Sequence, residues 1–133
     1  IGGLTGYLSV LISKLCNKIY VTDNDDNCIL EISKNFRDNK VKNGYVFKKN
    51  LCEGLPDKMP FDLIIIDCPQ YEINLDLLNQ TNVGGRILYI EKINDELSKA
   101  YKMTKFENNY SKEFLFDVFS NFYLTKKEEG FNF

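Results

Sequence analysis

A glycine-rich turn at the start of the chain and an aspartate about 20 residues later are the first residues whose types and spacing could do chemistry. Residues 1–7 read IGGLTGY, and Asp23 closes a short run of β-favouring residues. A glycine turn that leads into a helix lets backbone N–H groups approach a ligand, and an acid about 20 residues further on can accept hydrogen bonds from both ribose hydroxyls. The pair predicts a nucleoside cofactor, although Asp23, beside Asp25 and Asp26, also suits a helix cap.

A second candidate is the sequence DCPQY at 67–71, which follows the most apolar run of the chain. Ligands of open α/β sheets bind at the carboxyl ends of the strands, so Asp67 lies where a ligand would bind. The sequence faintly resembles the D-P-P-Y motif of amino-methyltransferases that act on adenine, but the second proline is absent and an extra residue intervenes. We favour a strand that ends in a turn at Pro69, with Asp67 capping the next segment.

The composition excludes several kinds of chemistry. The chain has no histidine, which removes the Ser-His-Asp and Cys-His mechanisms of many hydrolases. Its four cysteines form no CxxC pair and predict no zinc site, so we expect reduced thiols that are mostly buried as packing residues. The formal net charge is -2 and the basic residues are scattered, which does not favour a nucleic-acid partner.

Neither a membrane span nor a signal peptide is predicted. No apolar run reaches the about 18 residues that a membrane helix needs, and the first fifteen residues lack the basic and apolar regions of a secretion signal. We therefore expect a cytoplasmic protein with no membrane partner. We also expect a monomer, although the sequence does not fix the oligomeric state.

Strands and helices alternate along the chain at a spacing that would position the candidate residues. The glycine turn leads into a helix capped by Thr5, and the acidic cluster 23–26 caps a second helix. The apolar residues expected on these two helices are Leu8, Leu11, Ile12 and Leu15, then Ile29, Ile32 and Phe36. Strands are predicted at 19–22, 45–47, 61–67 and 86–90, with a loop over 50–60, a helical segment around 75–78 and a turn at Gly84-Gly85.

This alternation predicts an α/β fold of the Rossmann-like type, with a mostly parallel twisted sheet and helices on both faces. The run FDLIIID at 61–67 is typical of a parallel strand covered on both sides. After residue 95 we expect a helix near Leu97 and Ala100, then closing strands within 114–122 and at 130–133. Residues 1–133 form one domain, and because the first residues already look like the end of a strand, we expect that a first strand and helices are missing upstream.

Several segments, in the right order, resemble the protein-L-isoaspartate O-methyltransferase family. IGGLTGY resembles the motif I-G-x-G-S-G-Y, KIYVTD at 18–23 resembles the family's second strand with its terminal acid, and EGLPDKMPFDLIII at 53–66 resembles GLP-x-x-x-PFD-x-I-I. Glu72-Ile73 resembles P-E-I-P, NVGGRILYI at 82–90 resembles P-G-G-R-L-V, and FLFD with the closing GFNF resembles the tail of some bacterial members. The similarity covers nearly the whole chain.

The resemblance implies a methyltransferase fold, S-adenosylmethionine as cofactor, and methyl transfer to the carboxylate of isoaspartyl residues in damaged proteins or peptides. It also implies a cofactor site, with Gly2 and Gly6 beside the methionine and ribose, Asp23 on the ribose and Asn50 near the adenine. The full predicted site is Gly2, Gly3, Gly6, Asp23, Asn24, Asn50, Leu51 and Asp67. No catalytic residue is assigned, because an ionised carboxylate nucleophile needs no general base.

Two positions depart from the family pattern. Leu4 stands at the middle glycine of the turn, where Gly3 could supply the close approach by a shifted turn, and Asn50 replaces an aspartate. These departures, with the absent amino-terminal elements, leave open a non-catalytic member of the same fold. A nicotinamide-dependent oxidoreductase is a further alternative, because Gly2, Gly6 and Asp23 suit that cofactor too.

Overall fold

The structure is a computed structural model that describes residues 1–119 as an α/β fold, as the sequence predicts. Helices and strands alternate as far as the fourth strand, and antiparallel strands follow. The elements in chain order are α1 (Tyr7–Ser13), β1 (Ile19–Asp23), α2 (Asp26–Asp38), β2 (Gly44–Lys48), a short 3-10 helix (Pro56–Lys58), β3 (Phe61–Gln70), α3 (Asp76–Asn79), β4 (Thr81–Lys92), β5 (Ser98–Lys105) and β6 (Tyr110–Val118).

The strands form two sheets, and each sheet contains one parallel pair. β1 pairs in parallel with β2, and β3 pairs in parallel with β4. β5 and β6 then extend the second sheet as antiparallel strands, in the order β3-β4-β5-β6. Because carboxyl ends of parallel strands meet at one edge, this topology gathers the residues that follow β1, β2 and β3.

The first two residues of the chain join the two sheets. The Ile1 ammonium donates to the Ile65 carbonyl at 2.8 Å, and the Asp67 N–H donates to the Ile1 carbonyl at 2.9 Å. On the other side, the Gly2 N–H donates to the Thr22 carbonyl at 2.8 Å. Ile1 and Gly2 thus bond as a strand fragment between β1 and β3.

The second helix follows the sequence prediction. Asp25 is its N-cap, and one carboxylate oxygen of Asp25 accepts from the backbone N–H groups of Asn27 and Cys28, at 2.7 and 3.2 Å. Ile32 and Phe36 are buried on its inner face, where they pack with Val10 and Val21. These side chains form the core beneath the first sheet.

The first helix is shorter and faces differently from the prediction. α1 ends at Ser13, its N-cap is Gly6 rather than Thr5, and it buries Ser9, Val10 and Ser13. Three of the four predicted apolar residues are open to solvent instead, with Leu8 38%, Leu11 44% and Leu15 86% exposed, while Ile12 is half-buried. The physical reason is close packing: Gly6 lies against the backbone of Ile32, and small side chains let α1 approach α2.

Two predicted turns are wrong because strands run through them. β3 continues through Pro69, which pairs with Ile90 after a register shift, so Asp67 lies within the strand and caps no helix. A proline is tolerated at such an irregularity because no ladder hydrogen bond is required of it. Gly84 and Gly85 lie within β4, at a second register shift where Gly84 has a φ of 79°.

The closing part of the described chain is all strand. The predicted helix near Leu97 and Ala100 is wrong, since Ala100 in β5 pairs with Ile90 on one side and Phe116 on the other. Pairing with two neighbours outweighs the weak helical spacing of the local sequence. A strand over 114–122 is confirmed as far as β6, which begins earlier, at Tyr110, while 120–122 and the predicted strand at 130–133 lie outside the described residues.

The cysteines are less buried than predicted. Only Cys68 lies in the core; Cys16 and Cys28 are half-buried, and Cys52 is exposed. Cys68 packs in the second core, which lies on β3, β4 and β5. None of the helices in the described part of the chain has the length and apolar character needed to cross a membrane.

Candidate cofactor site

The carboxyl ends of the parallel strands and the glycine turn meet at one edge of the fold. Asp23 ends β1, and its carbonyl accepts from the N–H of Lys49 just after β2, at 3.0 Å. Asp67 in β3 is held against Ile1, the first residue of the turn segment. The structure therefore brings the predicted glycines, Asp23, Asn24, Asn50, Leu51 and Asp67 to the same edge.

Asp23 is the anchor of the glycine turn. One carboxylate oxygen accepts from the Leu4 N–H at 3.1 Å, and the other accepts from the Asp25 N–H at 3.1 Å. The residue is only 1% exposed. Each carboxylate oxygen can accept more than one hydrogen bond, so acceptor capacity remains although the side chain is buried.

The turn itself adopts left-handed backbone at three positions. Gly2 and Gly6 have φ values of 74° and 79°, which glycine adopts without strain. Leu4, where the family motif has a glycine, has a φ of 48° and carries the cost of a side chain in that region. Gly3 is required by packing, since a Cβ there would lie 2.5 Å from the Val21 side chain. The space beside Gly3 is therefore filled by Val21 and Ile32, which belong to the core beneath the first sheet.

Asn50 and Leu51 begin the loop after β2. The Asn50 side chain is exposed and its oxygen accepts from the Cys52 N–H at 3.0 Å, so its amide nitrogen is the group that could donate to a ligand. Leu51 is 2% exposed and packs in the second core, which leaves its backbone as the part that can reach the site. Asn24 is exposed beside Asp23.

Asp67 lies in a partly buried position next to the start of the chain. Burial raises the pKa of its carboxyl, and the nearby Ile1 ammonium lowers it by a smaller amount. A positive charge beside Asp67 would stabilise it, because burial disfavours an ionised carboxyl that has no charged partner.

Gln80 is a positioning residue that the sequence did not reveal. Its side-chain oxygen accepts from the Leu55 N–H, and its amide nitrogen donates to the Glu53 carbonyl, both at 2.8 Å. Gln80 is buried and thereby fixes the loop that carries Asn50 and Leu51. No motif marks a single glutamine ahead of a strand, so only the fold identifies it.

A comparison with protein-family profiles identifies the family to which the chain belongs. The profile of the family described as Protein-L-isoaspartate(D-aspartate) O-methyltransferase (PCMT) matches residues 1–121. The chain belongs to the protein-L-isoaspartate O-methyltransferase family. The predicted resemblance is thus confirmed, on a match that covers the turn, Asp23, Asn50 and Asp67 alike.

Individual members of the protein-L-isoaspartate O-methyltransferase family agree with this assignment. The Jannaschia sp. (strain CCS1) protein-L-isoaspartate O-methyltransferase is 29% identical over 118 residues, which are 89% of this chain and 53% of the relative. The Methylobacillus flagellatus enzyme of the same name is 26% identical over 118 residues, 80% of this chain and 53% of the relative. The chain spans about half the length of these relatives.

Solved structures confirm the fold. A protein-L-isoaspartate O-methyltransferase superposes with a TM-score of 0.81 at 16% identity, covering 88% of this chain and 38% of that one. A Plasmodium falciparum protein described as a member of the same family, in complex with S-adenosyl-L-homocysteine, gives a TM-score of 0.75 at 20% identity, covering 88% of this chain and 60% of the other. The predicted Rossmann-like methyltransferase fold is therefore correct.

Proposed function

We propose that this chain is the cofactor-binding part of a cytoplasmic protein-L-isoaspartate O-methyltransferase, which methylates isoaspartyl carboxylates in damaged proteins with S-adenosylmethionine. The observation that carries the proposal is the 3.1 Å hydrogen bond from the Leu4 N–H to Asp23. It brings the glycine turn and the acid of β1 into contact, which is the pairing that recognition of an adenosyl ribose needs. Family membership supplies the substrate class.

The residues at this edge fit an adenosyl group if Leu4 moves aside. The free lone pairs of the Asp23 carboxylate suit two ribose hydroxyls, and the Asn50 amide nitrogen suits an acceptor nitrogen on the adenine ring. Asp67 offers an acceptor for a cationic part of the cofactor. When bound, S-adenosylmethionine supplies a methyl group on a positively charged sulfur.

In this proposal the residues of the chain act by positioning the reactants. An isoaspartyl carboxylate is ionised at neutral pH and needs no general base, which agrees with a chain that lacks histidine. Holding two reactants in line can supply about 7–11 kcal/mol of a barrier without any proton transfer. Asp23 and the turn hold one reactant, and Gln80 keeps the Asn50 loop in place.

A calorimetric titration with S-adenosylmethionine tests the cofactor site. Asp23→Asn is expected to weaken binding at least tenfold, because one oxygen that faces the ribose becomes a donor. Asp26→Asn is the matched control, because it removes the same charge from an exposed side chain at the start of α2, where Asp26 pairs with Lys48 at 2.7 Å. This control is expected to change the affinity less than twofold. Thermal melts of both variants exclude unfolding as the cause.

Activity is tested by methyl incorporation into an isoaspartyl peptide, with this chain and a chain extended at its amino end. Turnover by either form supports the proposal. Failure of the 133-residue chain to bind the cofactor at millimolar concentration, or cofactor binding with no turnover by either form, would favour a non-catalytic member of the fold. A larger thermal shift with NADH than with S-adenosylmethionine would favour the oxidoreductase alternative.

A further inference from the structure

A small pocket lies on one face of the second sheet and shares no lining residue with the predicted cofactor site. It encloses about 270 Å³, and every residue that lines it lies between 71 and 112. Tyr89 of β4, Met103 of β5 and Lys112 of β6 project into it from the same face of the sheet, as their strand register requires. The segment that follows β3, from Tyr71 to Leu75, provides the opposite wall.

The Tyr89 hydroxyl is a buried polar group in the lining of this pocket that lacks an acceptor. Tyr89 is 3% exposed, and among residues 1–119 its hydroxyl has no hydrogen-bond partner. Lys112 lies beside it, but an ammonium group can only donate, so it offers no acceptor for the hydroxyl hydrogen. Because buried polar groups in folded proteins are normally hydrogen-bonded, this hydroxyl indicates that an acceptor from a ligand belongs here.

The Lys112 ammonium is a second donor at the same place. It donates to Glu91 at 2.6 Å and lies 4.1 Å from the centroid of the Tyr101 ring. An ammonium carries three N–H donors, so Lys112 can serve a further acceptor while it keeps its bond to Glu91. The Tyr89 hydroxyl has almost no accessible surface, and the neighbouring Lys112 side chain, which is 39% exposed, must therefore shift to admit that acceptor. Together the two groups suit one carboxylate.

The charges of the lining residues call for a positive group on the same ligand. Glu72 and Glu91 carry two negative charges and Lys112 carries one positive charge, which leaves the lining with a net charge of -1. A simple anion is therefore disfavoured by the two carboxylates. A ligand with an ammonium close to its carboxylate matches both signs, because the ammonium can donate to the glutamates.

The remaining walls of the pocket are apolar and aromatic. The rings of Tyr71 and Tyr110, which are 38% and 47% exposed, line it together with Ile73, Leu75 and Met103. Aromatic walls favour a ligand ring that stacks on them or meets them edge-on. The volume of about 270 Å³ lies just below the range of about 300–1,000 Å³ that is usual for drug-sized ligands, which favours a molecule as small as one amino acid.

We propose that this pocket binds a free α-amino acid with an aromatic side chain. The carboxylate of the ligand accepts from Lys112 and from the Tyr89 hydroxyl, and its ammonium donates to Glu91 and Glu72. Its ring packs against the aromatic and apolar walls. Only a free amino acid carries both charged groups on one carbon atom, which distinguishes it from either end of a peptide. The inference goes beyond the proposed function and does not depend on the cofactor.

Calorimetry with L-phenylalanine tests the proposal on the 133-residue chain. Saturable binding is expected, with a Kd on the order of 1 mM or tighter. Three analogues each remove one kind of contact: N-acetyl-L-phenylalanine lacks the ammonium, L-phenylalaninamide lacks the carboxylate, and L-alanine lacks the ring. Each analogue is expected to bind at least fivefold more weakly than L-phenylalanine.

Two matched pairs of variants locate the binding. Tyr89→Phe removes only the hydroxyl and is expected to weaken binding at least fivefold, whereas Tyr45→Phe, an exposed tyrosine of the first sheet, is expected to change it less than twofold. Lys112→Gln is expected to weaken binding at least tenfold. Its control is Lys102→Gln, because Lys102 also forms a 2.6 Å ion pair, with Glu113 on β6, but lies outside the pocket lining; a change below twofold is expected.

Thermal melts separate lost binding from lost folding. Tyr89→Phe is expected to keep or raise the melting temperature, because the hydroxyl that it removes lacks a hydrogen-bond partner among the described residues. No saturable binding of L-phenylalanine, equal binding of L-phenylalanine and its analogues, or equal effects within either pair of variants would each overturn the proposal.

Discussion

The backbone N–H of Leu4 donates to a carboxylate oxygen of Asp23 at 3.1 Å, and Asp23 is only 1% exposed. This contact makes the same aspartate both the anchor of the turn and the expected ribose partner. Leu4 is therefore the residue whose replacement tests access to Asp23, because its N–H occupies a carboxylate oxygen and its backbone lies in the left-handed region with a φ of 48°.

Replacement of Leu4 by glycine is expected to tighten S-adenosylmethionine binding about fivefold, or about 1 kcal/mol. Glycine removes the side chain and lets the turn move off Asp23 without left-handed strain. Lys40→Gly is the control, since Lys40 has a similar φ of 54° at the end of α2, away from the site. Calorimetry that finds the same change in affinity for both variants would refute a local role for Leu4.

Replacement of Gly3 by alanine is expected to lower the free energy of unfolding by about 1–3 kcal/mol, the usual cost of overpacking. The new Cβ would lie 2.5 Å from Val21 and 2.8 Å from Ile32, both of which are buried. Val21→Ala is the comparison background, because it removes the nearest side-chain atom from the space that the new Cβ would enter. Urea denaturation should show that Gly3→Ala costs less in the Val21→Ala chain than in the wild type, and an equal cost in both would contradict the packing assigned to Gly3.

Replacement of Gln80 by leucine is expected to cost about 1–3 kcal/mol, because the buried Leu55 N–H and the Glu53 carbonyl lose their partners. Hydrogen exchange at the Leu55 amide should accelerate at the same time. Asn82→Ala removes an exposed hydrogen bond to Asp62 two residues further along, and should leave both quantities nearly unchanged. Unchanged exchange at Leu55 in the Gln80 variant would show that the loop is held by other contacts.

The sequence alone determined the α/β class, the order of the early elements and the family. These features follow from local patterns: alternating apolar runs, the capping of α2 by Asp25, and the glycine turn followed by Asp23. Local patterns can be recognised in the sequence because they do not depend on tertiary contacts. The predicted site residues came from the same patterns, and the structure places them at one edge because parallel strands align their carboxyl ends.

Only the tertiary structure decided which faces are buried and which residues hold the site together. α1 turns its leucines outward because Gly6 seats it against Ile32, and β3 runs through Pro69 because β4 pairs with it beyond a register shift. The contacts of Gln80 with Glu53 and Leu55 join segments far apart in the chain. Burial and strand pairing depend on such partners, and no local window of the sequence contains them.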